Sequence, residues 1–151
     1  MPGGPKSVLF ACQLNAVRSP MASALFSQMF GKAMQVGSAG VQEGGELDPF
    51  AVVVMNEAGI DISRHKPMTF EQVEDLYGLD YDLIVTLSPG AHHRALEVVR
   101  GTDTKVEYWP VPDITGIEGN REQRLDAYRS VRDQLLARIR ERFGGDSAGN
   151  E

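Results

Sequence analysis

The sequence contains little cysteine and no long run of apolar residues. Cys12 is the only cysteine among 151 residues, which excludes an intramolecular disulfide and a cysteine-rich metal site. The longest apolar run, around residues 51–55, is far too short to cross a bilayer. The first residues also lack the apolar stretch of a signal peptide. We therefore expect a cytoplasmic protein that does not enter a membrane.

Clustered positive charge is absent as well. The chain carries 15 basic and 21 acidic residues, a net charge of −6, and its Lys and Arg residues form no dense block. Binding to a nucleic-acid backbone depends on clustered positive charge, so we predict that nucleic acid is not a partner. The length and the hydrophobic content of 42% suit one domain over residues 1–151, with flexible polar tails at 1–6 and 144–151.

Residues 7–26 combine a strand, a loop and the start of a helix. An apolar run over 7–12 is followed by a polar segment and then by apolar residues at helical spacing. Ser19 followed by Pro20 is typical of a helix start, because Ser19 can cap the first turn and proline lacks an N–H that would be unpaired there. Cys12 at the strand end and Arg18 before the helix therefore bracket a loop.

This loop has the features of an oxyanion-binding site. Backbone N–H groups at a helix N-terminus attract a dianion, and the planar fork of Arg18 can bind two of its oxygens. The same positive field favours the thiolate form of Cys12, which makes it a candidate nucleophile. The alternative is that Cys12 only fills space in the core, as a buried cysteine often does.

The segment from Cys12 to Ala22 resembles the low-molecular-weight protein tyrosine phosphatase family, whose scaffold arsenate reductases share. The family has a cysteine, five residues and an arginine at a strand-to-helix junction, and here the arginine is followed by S-P-M-A. The resemblance implies that Cys12 attacks phosphorus, that Asn15 shapes the loop and that the Ser19 hydroxyl supports the thiolate. It also implies that the whole loop binds phosphate, through Gln13, Leu14, Asn15, Ala16, Val17, Arg18 and Ser19.

Three residues outside the loop match further family positions. The resemblance implies that Ser38 bonds to Asn15 and that His65, in the segment GIDISRH, helps to order the loop. Asp113 follows the last predicted strand, where the family has its general acid. The sequence departs from the family at Ile114, where proline is usual. It also lacks the pair of tyrosines that lines the substrate groove in eukaryotic members.

The remaining strands and helices alternate along the chain. Apolar patterns and capping residues predict strands around 34–36 and over 82–87 and 105–109, and helices over 50–58, 69–77, 90–100 and 121–143, with a Gly-rich loop over 37–48. This alternation predicts a three-layer α/β fold with helices on both faces of a parallel sheet. The resemblance implies four strands in the order 2-1-3-4, which places the Cys12 loop where the strand order reverses.

The main hypothesis is a metal-free, cofactor-free phosphomonoester hydrolase, most simply a protein tyrosine phosphatase that forms a phosphocysteine. Its catalytic residues would be Cys12, Arg18 and Asp113. Its partner would be a phosphorylated protein or a small aryl phosphate, with phosphate or another oxyanion held in the loop. Leu14 stands where glycine is usual and Ala16 leaves space on one pocket wall, which keeps the substrate open, phosphoarginine included.

Two alternatives remain. The first is an arsenate reductase, in which the same thiolate attacks arsenate. Val17 stands where some relatives have a second cysteine, and the chain has none to relay electrons, so a reductase would need an external thiol such as glutathione or mycothiol. The second alternative is a non-catalytic module that binds phosphoproteins.

Overall fold

Four strands form one parallel sheet in the computed structural model, which describes residues 4–144. The strands are β1 Ser7–Cys12, β2 Gln35–Gly40, β3 Leu83–Thr86 and β4 Lys105–Tyr108. Their order is β2-β1-β3-β4 and each pair is parallel, which confirms the order that the resemblance implied. All residues of β1 are buried, as expected for a central strand that is covered on both faces.

Helices cover the sheet on both sides. They are α1 Arg18–Phe30, α2 Pro49–Glu57, α3 Phe70–Tyr77, α4 Pro89–Val98 and α5 Arg121–Ile139, which continues into a π-helical turn, Arg140–Gly144. The predicted starts of α2, α3 and α4 are confirmed, because the side chains of Asp48, Thr69 and Ser88 each accept a hydrogen bond from a first-turn N–H. Within the described part of the chain, no helix combines the length and the apolar character of a membrane span.

Strand β1 shows how the core is divided between the two faces. Successive side chains of a strand point to opposite sides of the sheet. Val8, Phe10 and Cys12 join the core that α1, α2 and α5 form, whereas Leu9 and Ala11 join the core of α3 and α4. The fold is therefore the three-layer, single-domain α/β architecture that the sequence predicts. Its central strand ends at Cys12, between β2 and β3.

The start of α1 differs from the prediction. The helix begins at Arg18, and its N-cap, Val17, makes no side-chain capping bond. The prediction that Ser19 caps this helix is wrong, because its hydroxyl lies within hydrogen-bond distance of Cys12 and Asn15 instead. Ser19 therefore contacts the loop that precedes the helix and does not cap the first turn.

Strand β2 is longer than predicted. It extends to Gly40 and so includes the first part of the predicted Gly-rich loop. Its glycines are required by close packing and not by a turn. A Cβ atom at Gly37 would lie 2.4 Å from Tyr81 Oη, and one at Gly40 would lie 2.8 Å from the carbonyl carbon of Leu14. Glycine content alone therefore led to the wrong assignment.

The predicted flexible tails lie partly outside the described residues, over 1–3 and 145–151. The inner ends of both tails are held in place. The Lys6 N–H donates to Asp82 Oδ2 at 2.7 Å, and the Lys6 carbonyl accepts from Gln35 N at 3.0 Å. Gly144 is buried at the end of the π-helical turn. These contacts lie at the inner ends of the two predicted tails, and the flexibility of the tails stays a prediction.

Phe10 connects the sheet to the helices at the centre of the larger core. Its ring lies 5.6 Å from that of Phe26 on α1 and 6.1 Å from that of Trp109, which follows β4. Phe143, from the π-helical turn, packs edge-on against Phe26 at 5.0 Å. This aromatic group ties the first and last helices to the strand that carries Cys12.

We expect Phe10→Ala to lower the free energy of unfolding by about 3–5 kcal/mol, because it removes a fully buried ring and leaves a cavity. Urea unfolding monitored by circular dichroism measures the change. The control is Leu96→Ala on α4, whose residue is 49% exposed, and which should stay within about 0.5 kcal/mol of the parent. Equal small losses in the two variants would contradict the assigned core.

Candidate active site

The thiol of Cys12 is buried at the carboxyl end of β1 and is surrounded by donors. Its sulfur lies 3.0 Å from Ser19 Oγ, and the Ser19 N–H donates to it at 3.4 Å. Ser19 Oγ accepts a hydrogen bond from Asn15 Nδ2 at 2.7 Å, which leaves the hydroxyl proton to point at the sulfur; the Ala39 carbonyl is farther away, at 3.5 Å. Two hydrogen-bond donors are therefore aimed at one sulfur.

Asn15 holds the turn of the loop. It is fully buried, and its φ of 59° lies in the left-handed region, which asparagine tolerates better than most residues. Its Oδ1 accepts from the Met68 N–H and from His65 Nε2, each at 3.0 Å, while its Nδ2 donates to Ser19. Each polar atom of the side chain thus has a partner that fixes the loop.

His65 reaches the loop from the segment before α3. Its Nε2 also lies 3.3 Å from the Asn15 carbonyl oxygen. Burial lowers the pKa of His65 from its ordinary value, although the bond to the Asn15 backbone opposes the shift. The ring is therefore neutral at pH 7, and it must carry its proton on Nε2 to donate to Asn15.

The expected hydrogen bond between Ser38 and Asn15 is wrong. Ser38 lies opposite Phe10 in the β1–β2 ladder, before Gly40, which is the residue that faces Cys12. The Asn15 amide is already satisfied by Ser19, Met68 and His65. Ser38 instead borders a cleft between β2, α1 and α3.

Arg18 is buried and points across the end of the sheet. Its Nη1 donates to the carbonyl oxygen of Val111 at 2.9 Å. No other acceptor among residues 4–144 contacts the guanidinium, and its remaining N–H groups are not sealed from solvent. One arm of the fork is therefore anchored to the loop after β4, and the others are available to an anion in the pocket.

Asp113 lies on that same loop, at the rim of the pocket. Its Oδ1 accepts from the Thr115 N–H at 3.0 Å and from Thr115 Oγ at 2.8 Å. These two bonds lower the pKa of Asp113; partial burial opposes them, and the positive charge of Arg18 adds a smaller lowering. The carboxylate form is thus favoured, which suits a base and works against the expected role as an acid.

A pocket of about 230 Å³ contains these groups. Its lining includes no aromatic residue and consists of Cys12, Gln13, Leu14, Ala16, Val17, Arg18, Gln42, Asp113 and Thr115. Among residues 4–144, no three His, Cys, Asp or Glu side chains are placed to hold a metal ion. The arrangement can bind one tetrahedral anion and present a sulfur nucleophile to it.

Leu14, which stands where the family usually has glycine, is accommodated by its neighbours. The residue is 39% exposed at the pocket rim. The close approach to its backbone is made by two other glycines, since a Cβ atom at Gly40 would lie 2.8 Å from the Leu14 carbonyl carbon and one at Gly45 would lie 2.9 Å from its oxygen. Glycine is therefore present in the segment that packs against the loop, where a side chain would collide with the Leu14 backbone.

Comparison with known proteins now decides the family. The family model described as low molecular weight phosphotyrosine protein phosphatase matches residues 7–142. The chain belongs to this family. The low molecular weight phosphatase scaffold is also that of a solved structure from T. tengcongensis, a low molecular weight protein tyrosine phosphatase that is 28% identical. It has a TM-score of 0.72 and covers 91% of this chain and 97% of that one.

Arsenate reductases are equally prominent among the relatives of this low molecular weight phosphatase family member. The arsenate reductase of Shouchella clausii is 34% identical over 139 residues, which cover 89% of this chain and 93% of that relative. The solved arsenate reductase of Archaeoglobus fulgidus is 31% identical, with a TM-score of 0.70, over 91% of this chain and 98% of that one. Membership in the family therefore leaves the reaction open.

Several contributors to the site carry no signal in the sequence. The Val111 carbonyl and the Met68 N–H act through the backbone, which every residue has. Gln42 comes from the turn after β2 and meets Gln13, whose Nε2 donates to Gln42 Oε1 at 3.2 Å. Thr115 lies two residues after Asp113, a spacing typical of a side chain that accepts from the backbone in a turn. Only this last contact could have been anticipated.

We expect Thr115→Val to raise the pKa of Asp113 towards its ordinary value, because the variant removes one of the bonds that stabilise the carboxylate. The limb of the pH–rate profile that Asp113 controls should then move to higher pH. If Asp113 acts as an acid, this is the limb where activity falls as pH rises; if it acts as a base, activity falls as pH drops. The profile of kcat/KM against pH measures both.

Thr102→Val is the matched control, since Thr102 Oγ donates to the Val99 carbonyl in an exposed turn after α4. Its profile should overlay that of the parent. An unchanged profile in Thr115→Val as well would show that Asp113 controls neither limb.

Proposed function

We propose that the chain is an arsenate reductase that attacks arsenate with Cys12 and takes its electrons from an external thiol. The observation that carries this proposal is the pocket, which offers a nucleophile and cationic donors for a bare tetrahedral anion and has no aromatic wall for a tyrosine ring. The arsenate reductases among the relatives support the same choice. The protein tyrosine phosphatase expected from the sequence becomes the second candidate.

In the first step the Cys12 thiolate attacks arsenic, a Cys12 S–As(V) bond forms and one arsenate oxygen leaves as water. Arg18 and the loop N–H groups hold the remaining oxygens, and the Ser19 hydroxyl steadies the sulfur before the attack. The protons of the departing water come from arsenate itself and from solvent. A hydroxyl group of arsenate leaves more readily than an ester oxygen. An ionised Asp113, which has no proton to donate, therefore slows this reaction less than it slows ester hydrolysis.

In the second step an external thiolate attacks Cys12 Sγ. The electron pair of the S–As bond stays on arsenic, so As(V) becomes As(III) and departs as arsenite, while a mixed disulfide forms between Cys12 and the thiol. A second external thiol then attacks this disulfide and frees the Cys12 thiolate. Each turnover converts two thiols into one disulfide and one arsenate into arsenite. The external thiol is required because the chain holds no second cysteine.

The start of α2 lies beside the loop and has two arginines near it. The Asp48 N–H donates to the Ala16 carbonyl at 3.2 Å, so the start of α2 adjoins the pocket wall. Next to it, Arg121 and Arg124 lie over the ring of Phe50, at 5.4 and 4.6 Å from its centre. Within residues 4–144, Arg124 Nε is buried without a hydrogen-bond partner. Asp48 and Asp113 lie near Tyr128 together with Arg124, so these charges do not select the external thiol.

Hydrolysis of phosphomonoesters is the second candidate, because Cys12, Arg18 and Asp113, the residues that this reaction would use, line the same pocket. Cys12 would form a phosphocysteine as the ester oxygen leaves with a proton from Asp113, and water activated by Asp113 would then release phosphate. The lowered pKa of Asp113 suits the second of these steps and slows the first. The low molecular weight protein tyrosine phosphatase from T. tengcongensis supports this candidate.

Two assays on the same preparation separate the candidates. The first follows disulfide formation from glutathione in the presence of arsenate, and the second follows release of p-nitrophenol from p-nitrophenyl phosphate. We expect arsenate-dependent thiol oxidation to have the larger kcat/KM. Faster hydrolysis of the aryl phosphate would establish the phosphatase instead. Binding of phosphate with no turnover in either assay would leave only the non-catalytic module.

Cys12→Ser should abolish turnover in both assays, because a hydroxyl at this position is a far weaker nucleophile than a thiolate. Binding of inorganic phosphate should remain, since Arg18 and the loop N–H groups are unchanged. Isothermal titration with phosphate and the two assays provide the measurements. Residual thiol oxidation or hydrolysis at the parent rate would exclude Cys12 as the nucleophile.

A further inference from the structure

A second cleft lies behind the loop, at the open edge of the sheet. It has a volume of about 650 Å³, against about 230 Å³ for the pocket of Cys12. Strand β2 forms its floor, α1 one wall, and the segment from Arg64 to Tyr81 the other. Cavities of this size commonly take small organic ligands. No residue is shared between the two sites, although both adjoin Asn15.

The cleft is positively charged within a negatively charged chain. Arg64 and Lys66 line it, and no Asp or Glu does. Neither cation takes part in an ion pair within residues 4–144. The charge of Arg64 helps to lower the pKa of Asp61, but the Asp61 carboxylate accepts its hydrogen bond from the Ser63 N–H, at 2.8 Å. The cleft therefore has two cations available for an anionic group.

Tyr81 brings a hydroxyl group to the cleft. The residue is only 7% exposed, and its ring belongs to the smaller core. Among residues 4–144, no group hydrogen-bonds to its hydroxyl, which borders the cleft beside Gly37. The hydroxyl oxygen is not sealed from solvent, so its proton is available to an acceptor on a ligand in the cleft. Burial also raises the pKa of Tyr81, which keeps the hydroxyl protonated as a donor.

The edge of β2 and the end of α3 complete the surface. The Gln35 N–H faces β1, because it donates to the Lys6 carbonyl, and the Gly40 N–H faces outwards to Met68. In a parallel ladder the direction alternates, so the backbone groups of Val36 open towards the cleft. The opposite wall offers the side chains of Leu76 and Tyr77, which are 68% and 72% exposed. Apolar surface thus lies next to the cations.

We propose that this cleft is a second site, which binds a small organic anion and changes the affinity of the Cys12 loop for its own anion. The acidic group of the ligand lies between Arg64 and Lys66, its planar apolar body lies against Tyr77, and an acceptor on it takes the hydrogen bond of the Tyr81 hydroxyl. The chemical class is an aromatic carboxylate, sulfonate or phosphonate.

The connection to the loop runs through two residues of the cleft wall. His65 and Met68 both line the cleft, and both donate to Asn15 Oδ1 at 3.0 Å. Asn15 keeps its left-handed conformation only while these donors stay in place. Arg64 and Lys66 are the neighbours of His65 in the chain. A ligand that binds these two cations therefore shifts His65 and, through its bond to Asn15, the loop. Coupling between two such sites is reciprocal, commonly about 5–150-fold in affinity.

Binding is tested with 2-naphthoate as the probe, in saturating inorganic phosphate that keeps the probe out of the Cys12 pocket. We expect saturable amide shifts at Gly37 and Ser38 in two-dimensional NMR. Tyr81→Phe, which keeps the ring, should weaken binding several-fold and leave the fold intact. Arg64→Gln combined with Lys66→Gln should weaken it at least about tenfold, the effect of losing a charge-assisted hydrogen bond.

The matched control combines Lys32→Gln with Arg100→Gln, which removes the same charge from exposed positions outside the cleft. It should bind the probe like the parent. Equal binding by both double variants, or no saturable shift at Gly37 and Ser38, overturns the site. These measurements require no turnover, so their outcome is independent of the reaction proposed above.

The coupling is tested by titrating phosphate with and without saturating 2-naphthoate; this step rests on the proposed oxyanion site. We expect the phosphate Kd to change several-fold in the parent. In His65→Ala the probe should still bind the cleft, but the phosphate Kd should respond much less, because one of the two connecting bonds is lost. An unchanged phosphate Kd in the parent, with the cleft occupied, overturns the effector role.

Discussion

The hydrogen bonds of the Asn15 side chain are the constraint on which the site depends. One amide group takes donors from two residues of a distant segment and donates to the serine that faces the sulfur. The loop can therefore hold the left-handed turn at Asn15 while the Ser19 N–H stays directed at the sulfur of Cys12. If these bonds were absent, the loop would lose the shape that binds an anion.

Arg18 and Asp113 show how the second half of the site is tied to the first. Arg18 donates to the Val111 carbonyl, and Asp113 lies two residues further along the same loop. The arginine that we propose to bind the anion thus also contacts the segment that carries the carboxylate. The arrangement has an electrostatic consequence, since a cation placed for the anion also favours the ionised form of Asp113. The positive charge of Arg18 favours anion binding, whereas it disfavours the protonated form of Asp113 that would donate a proton.

The fold leaves the reaction undetermined for a physical reason. Phosphate and arsenate have the same shape and charge, so one loop of donors binds either of them and one thiolate can attack either centre. What distinguishes the reactions is the second reactant, which is water in one case and a thiol in the other. The second reactant depends on the residues that line the pocket, on the ionisation of Asp113 and on the single cysteine of the chain. It does not depend on the sheet.

Local signals in the sequence determined the strands, most helix caps, the strand–loop–helix unit with Cys12 and Arg18, and, through the family pattern, the strand order. Local signals misled at Ser19 and at the glycines of β2, and the family pattern misled at Ser38. At each of these places the outcome depends on which distant atom comes close, and residue type does not encode that. Tertiary structure alone decided the partners of Asn15 and Arg18 and the placement of the Tyr81 hydroxyl beside Gly37. Backbone donors, backbone acceptors and close contacts arise only when segments far apart in the chain are packed together.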